Sequence, residues 1–294
     1  MSSSSTRLAA PSSPRTTALA ILGLVTVLGL SAWLRGPGFT QGGFASHDVA
    51  AMLHSSMVLL DGGLPYVDTL ELKAPGTFYL GAWLCGGTDI ATFQIWANLW
   101  GLATLGVVAA LAWRLWGPAA AVVAAGLYAL HDAHLDSMDA NYVTWAQLPL
   151  VAGVGAALVA PRAATRRRQL AWWAAAGLLA GAAVLLKRPA AAGVLVVGVS
   201  SLWAAPTDRT SRRARVLAVG AGLVASHVPI AVHYALAGQL GALVDGYLWN
   251  RWGLRYVAGG AGAGAEGASV EVGDALVEGV LATVHFLVLP LGLA

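Results

Sequence analysis

Apolar stretches of 16 to 24 residues, parted by short polar breaks, recur along most of this 294-residue chain. In hydrocarbon an open backbone amide is too costly, so a stretch of that kind folds as a helix that satisfies its own hydrogen bonds. Eight are predicted: residues 16–34, 90–113, 115–130, 142–160, 170–186, 189–206, 216–237 and about 276–294. The expected fold class is therefore all-α, a polytopic transmembrane helical bundle of about eight spans. The third run, at 16 residues, is expected to extend backward past Trp113; the last stops at Ala294 with no polar tail and reads as a span cut off. Charged residues make up 11% of the chain, against roughly a quarter in a soluble domain, which excludes a water-soluble globule. Cys85 is the single cysteine, so no intrachain disulfide can form and a packing role is expected for it.

The charges give the expected orientation. With residues 1–15 as a polar cytoplasmic N-terminus, the alternate breaks around Arg114, residues 161–169 and residues 207–215 are cytoplasmic too. That side then holds eleven arginines and one acid, Asp208, while the other holds six basic residues and thirteen acids. Lys and Arg bias sets topology, so the arginine runs need no nucleic-acid partner. The first run is longer than a signal-peptide core and no small-residue cleavage site follows it directly, so it is read as an uncleaved span. Trp33, Trp113, Trp116, Trp172, Trp173 and Trp203 fall near predicted span ends, where amphipathic rings favour the interface.

Two outward loops exceed a turn, residues 35–89 and 238–275, and long loops of this kind carry function. In the first, Val49, Met52, Leu53, Met57 and Leu60 follow helical spacing, predicting an amphipathic helix over residues 48–60 lying on the outer leaflet. Asp48 stands at its start as a candidate N-cap, and Asp61-Gly62-Gly63 closes it. Residues 131–139 pack His131, His134, Asp132, Asp136 and Asp139 into a short outer loop. A solvated loop, a divalent-metal site and a carboxylate of a catalytic site are the three readings of it. His227 and His233, inside the seventh run, are candidates for a polar lining or for interhelical hydrogen bonds. Gly177 with Gly181, and Ala176 with Ala180, predict close helix packing. Gly262-Ala263-Gly264-Ala265-Glu266-Gly267 matches a dinucleotide-loop spacing, but no strand precedes it, and a flexible Gly/Ala loop is the better reading.

Three further motifs stand in the outward segments: Gly63-Leu64-Pro65-Tyr66-Val67-Asp68, Lys73-Ala74-Pro75, and Gly181-Ala182-Ala183-Val184-Leu185-Leu186-Lys187-Arg188-Pro189. With Asp48 ahead of them and Asn250-Arg251-Trp252-Gly253-Leu254-Arg255-Tyr256 behind, their order resembles the GT-C superfamily of membrane glycosyltransferases. The branch is that of bacterial lipid-linked sugar transferases, protein O-mannosyltransferases and aminoarabinose transferases. The similarity runs over roughly residues 15 to 260. Many members carry an acidic pair where this chain has His47-Asp48.

The resemblance implies a transferase domain over residues 16–294. Its donor would be a sugar on a polyprenyl phosphate, held among membrane lipids, and its acceptor a glycan, lipid or protein hydroxyl at the outer face of a bacterial inner membrane. Asp48 would be the general base, and Asp132 or Asp136 a second carboxylate that orients the acceptor. His47, Tyr66, Asp68, Lys73, Lys187, Arg188, Asn250 and Arg255 would line the substrate, the cations beside the departing phosphate. No cofactor is expected, and the divalent metal open as a reading of residues 131–139 has no second ligand set in the sequence to support it. The alternatives are a transporter or flippase for a lipid-linked saccharide, which would pair charges at mid-bilayer, and an inactive membrane scaffold.

Overall fold

The computed structural model describes residues 13–40, 46–69, 71–134, 140–204 and 210–249. Among them every regular element is helical: α1 (Pro14–Leu34), α2 (Gly36–Thr40), α3 (His47–Leu60), α4 (Gly76–Cys85), α5 (Ile90–Trp116), α6 (Pro118–His134), α7 (Tyr142–Val159), α8 (Arg166–Leu186), α9 (Ala191–Trp203), α10 (Arg212–Leu236) and α11 (Leu240–Leu243). A π-helical turn, Val244–Leu248, continues α11. Five helices are long and apolar enough to cross a bilayer: α1, α5, α7 with its extension to Arg162, α8 and α10. The expected eight spans thus resolve into five full-length helices and two shorter ones, α6 and α9, while residues 276–294 lie outside the described residues.

Local chemistry corrects several boundaries. The third run does not extend backward past Trp113. Instead α5 runs on through Arg114 to Trp116, Gly117 turns the chain at φ 95°, and Pro118 opens α6 at the position where a missing amide costs nothing. The run extends forward, so residues 131–134, expected in a loop, are helical. Thr165 caps α8 through the Arg168 amide, and Ser211 caps α10 through that of Ala214, so both helices begin within their arginine runs. Among the described residues, 35–89 hold three helices, of which only α3 is visible as periodicity.

α3 is capped by Ser46, whose hydroxyl accepts from the Val49 amide at 3.4 Å; Asp48 sits in the first turn and is not the N-cap. Its apolar stripe also divides. Val49, Met52 and Leu53 are buried, whereas Met57 and Leu60 face outward, because α3 docks on α4 where Gly81 leaves room for the Ser56 side chain.

Packing differs along the bundle. α7, α8 and α10 meet through small residues: a Cβ on Gly177 would collide with the Val219 carbonyl, and one on Gly222 with that of Ala174. Lipid offers no hydrophobic gain for helix association, so this backbone proximity supplies the dispersion contacts that replace it. Towards the end that carries α3 and α4, the core becomes aromatic, with Tyr66, Phe78, Phe93, Trp145, Tyr234 and Tyr247 buried together. Trp173 belongs to the small-residue core at 1% exposure and does not reach an interface, whereas Trp33 and Trp203 are exposed. The histidines of α10 make hydrogen bonds: His233 Nδ1 meets the Tyr79 hydroxyl of α4 at 2.7 Å, and His227 Nε2 meets that of Tyr247 at 3.2 Å.

Candidate active site

Lys73 is placed by its backbone. The Tyr66 hydroxyl donates to the Lys73 carbonyl, and the Arg188 guanidinium reaches the same oxygen at 3.5 Å while donating to Gly246 at 2.9 Å. Three residues on, Gly76 lies so close to the end of α8 that a Cβ would stand 2.6 Å from the Leu185 carbonyl. The Lys-x-Pro-Gly stretch therefore rides on the C-terminus of α8, next to Lys187 and Arg188. Tyr66 adopts φ 69°, a left-handed backbone that costs a non-glycine residue roughly 1 kcal/mol or more and is held here by core packing on Phe78 and Tyr234. Asp68 closes the same turn by accepting from the Leu64 amide at 2.7 Å. Tyr66 and Asp68 thus shape the loop that presents Lys73.

With its carbonyl fixed, the Lys73 side chain extends outward. Its Nζ stands 2.9 Å from Asp48 Oδ1 and 5.2 Å from the centroid of the Tyr142 ring at the start of α7. The two side chains are 41% and 45% exposed, so the pair is open to a ligand. Asp48 is free to make it because Ser46 does the capping. Lys187 ends α8 beside them; burial and the neighbouring Lys73 charge pull its ammonium below the ordinary lysine range, and Asp48 partly offsets this. Arg188 lies over the Tyr247 ring at 5.8 Å. Three cations and the carboxylates of Asp48 and Glu71 therefore share one end of the bundle, and His47 stands exposed at the head of α3.

Glu71 was not singled out by the sequence. It is buried, and that burial pushes its carboxyl up to about 7, with the Asp48 charge adding and Lys73 and Arg188 opposing. Its only sequence signal is its flanking by Leu70 and Leu72 in an otherwise polar stretch.

Asp132 is placed elsewhere. It is buried and paired with Arg35, the C-cap of α1, whose guanidinium also donates to Asn98 Oδ1 at 3.1 Å and passes α5 where Gly101 leaves space. Its carboxylate is thus engaged in joining α1 to α6. Asp136, Asn250 and Arg255 lie outside the described residues. Among the described residues no three His, Cys, Asp or Glu side chains gather as a metal ion requires.

No family model, curated protein or solved structure matches this chain.

α8 also fixes the distance between charges. Its 21 residues span about 31 Å at 1.5 Å per residue, the thickness of a hydrocarbon core, with Arg166, Arg167 and Arg168 at one end and Lys187 just past the other. The cluster is one membrane thickness from the arginine-rich connections.

Proposed function

We propose that this chain is a membrane glycosyltransferase of the GT-C type, moving a sugar from a polyprenyl-phosphate donor to an acceptor hydroxyl with inversion. The acceptor is a glycan, lipid or protein at the outer face of a bacterial inner membrane, with the N-terminus and the arginine-rich connections on the cytoplasmic side. The observation that carries this reading is the open Asp48–Lys73 pair, with Lys187 and Arg188 alongside, at the end of an apolar bundle. A carrier lipid lying against the helices brings its phosphate to that level.

Asp48 takes the proton from the acceptor oxygen as that oxygen bonds to the anomeric carbon. The bond from the anomeric carbon to the phosphate oxygen breaks with its electron pair, and polyprenyl phosphate leaves. Lys73 exchanges its contact with Asp48 for one with the phosphate, where a fixed cation in a partly dry site counters the growing charge. That exchange frees the carboxylate at the moment the acceptor needs it.

Transport of a lipid-linked saccharide would favour paired charges at mid-span, whereas the buried pair Arg35–Asp132 joins helix ends. The test is transfer of labelled sugar from polyprenyl phosphate in reconstituted vesicles, comparing the wild type with Asp48→Asn. Transfer that vanishes in the variant supports the reading. Movement of intact lipid-linked sugar across the vesicle, or no reaction with any carrier-linked sugar, overturns it.

A further inference from the structure

We infer that Glu71 sets the charge with which this site meets an anion: neutral, it leaves the cations Lys73, Lys187 and Arg188 free to hold a phosphodiester, and ionised, it competes with that ligand. The inference rests on the reading above, in which the cluster receives the carrier phosphate.

The geometry is that of a buried carboxyl whose charge is only partly compensated: the Leu72 amide donates to it and Lys73 and Arg188 attract it, but burial outweighs them. Glu71 is 8% exposed, and its Oε2 is sealed from solvent with no hydrogen-bond partner among the described residues. Burial costs the ionised carboxylate more than the neutral carboxyl, and the unpartnered Oε2 has no donor to offset that difference. The groups that face it are Lys73 on its own segment, Asp48 from α3, Arg188 from the turn after α8, Tyr66, and Tyr142 from α7. Around the site three cations then oppose either Asp48 alone or Asp48 and Glu71 together, so ionisation of Glu71 halves the positive excess. Burial holds its carboxyl up at about 7, which puts the change within the physiological range. Glu71 touches no ligand through its sealed oxygen; it acts through the field at the other groups and is a positioning residue.

The test uses diethyl phosphate, whose single negative charge is constant across the range, binding to the full chain in detergent and read by phosphorus NMR. Wild-type affinity is expected to fall about three- to tenfold between about pH 6 and pH 8, as a unit charge at close range in a partly screened site demands. Glu71→Gln is expected to hold the high affinity across that range. The comparison is needed because the Lys187 ammonium, pulled below the ordinary lysine range, also contributes to anion binding. A wild type that binds with no pH dependence overturns the inference and leaves the phosphate reading standing. An equal fall in wild type and variant also overturns it, assigning the titration to another group. If the probe binds at no pH, the phosphate reading fails first. Infrared detection of a protonated carboxyl in the wild type near neutral pH, absent from Glu71→Gln, supports the assignment without using a ligand; no difference between the two overturns it.

Discussion

Asp132 and Asp48 each meet a cation from the segment that follows α1, yet one pair is closed and the other open. Arg35 and Asp132 are buried to within 2% and are braced by Asn98 and the gap at Gly101. Asp48 and Lys73 keep 45% and 41% of their side-chain surface exposed. A sealed pair cannot exchange partners without leaving a charge in low dielectric, so it serves as a fixed joint. An open pair exchanges partners at little cost, and that is what a site needs if lysine is to take a phosphate and aspartate a proton.

The sharpest way to break this contrast is to neutralise one carboxylate in each pair. Asp48→Asn is expected to lower sugar transfer by roughly 10² to 10⁴, the usual worth of a general base, while thermal unfolding in detergent shifts by no more than about 1 kcal/mol. Loss of fold comparable to the loss of transfer would make Asp48 structural. Asp132→Asn, which leaves Arg35 buried without its charge partner, is expected to cost about 3 to 5 kcal/mol of stability, with transfer falling only as the folded fraction falls. Replacing both partners, Arg35→Met with Asp132→Leu, is expected to recover much of that loss. If the single variant unfolds no more easily than wild type, the joint carries nothing.

These two pairs also mark what was legible in advance. Long apolar runs announce membrane helices because the constraint is local, and seven of the eight expected runs are helical within the described residues. Their ends depend on single caps. Gly117-Pro118 was a readable break, but the length of the third run suggested extension in the wrong direction. α4 escaped notice because its 10 residues sit inside a polar loop and are ended by Gly86 in a left-handed turn. The approach of Lys73 to Asp48, 25 positions away in the chain, was suggested only by the order of the motifs, since spacing alone carries no tertiary distance. Glu71 stayed hidden for the same reason. A glutamate two places before a lysine looks like a solvated neighbour, and only the fold shows it buried.

A smaller effect tests how the open pair is held. Gly76→Ala puts a methyl group 2.6 Å from the Leu185 carbonyl, and backbone cannot rotate away as a side chain would. Overpacking of this kind is expected to cost about 1 to 3 kcal/mol. It should also displace the Lys73 turn from Lys187 and Arg188, so transfer should fall more than stability does, mainly through weaker donor binding. A rise in KM for the lipid donor with kcat nearly kept is the expected signature. Unchanged kinetics would show that the ride on α8 does not set the lysine.

The smallest effect tests the buried acid beside the open pair by pH alone. The Glu71 carboxyl lies near 7 in the fold against 4.5 as the ordinary value, so the native chain binds more protons than the unfolded one between those values. Its contribution to stability is therefore whole below about pH 4.5 and is lost as pH rises through 7, after which the buried charge is carried at a cost. Glu71→Gln removes that decline. Measured by unfolding in detergent, the variant should gain on the wild type by on the order of 2 kcal/mol or less between about pH 5 and pH 8. Parallel pH profiles for wild type and Glu71→Gln would show that the carboxyl is ionised throughout that range and that its burial does not hold the proton.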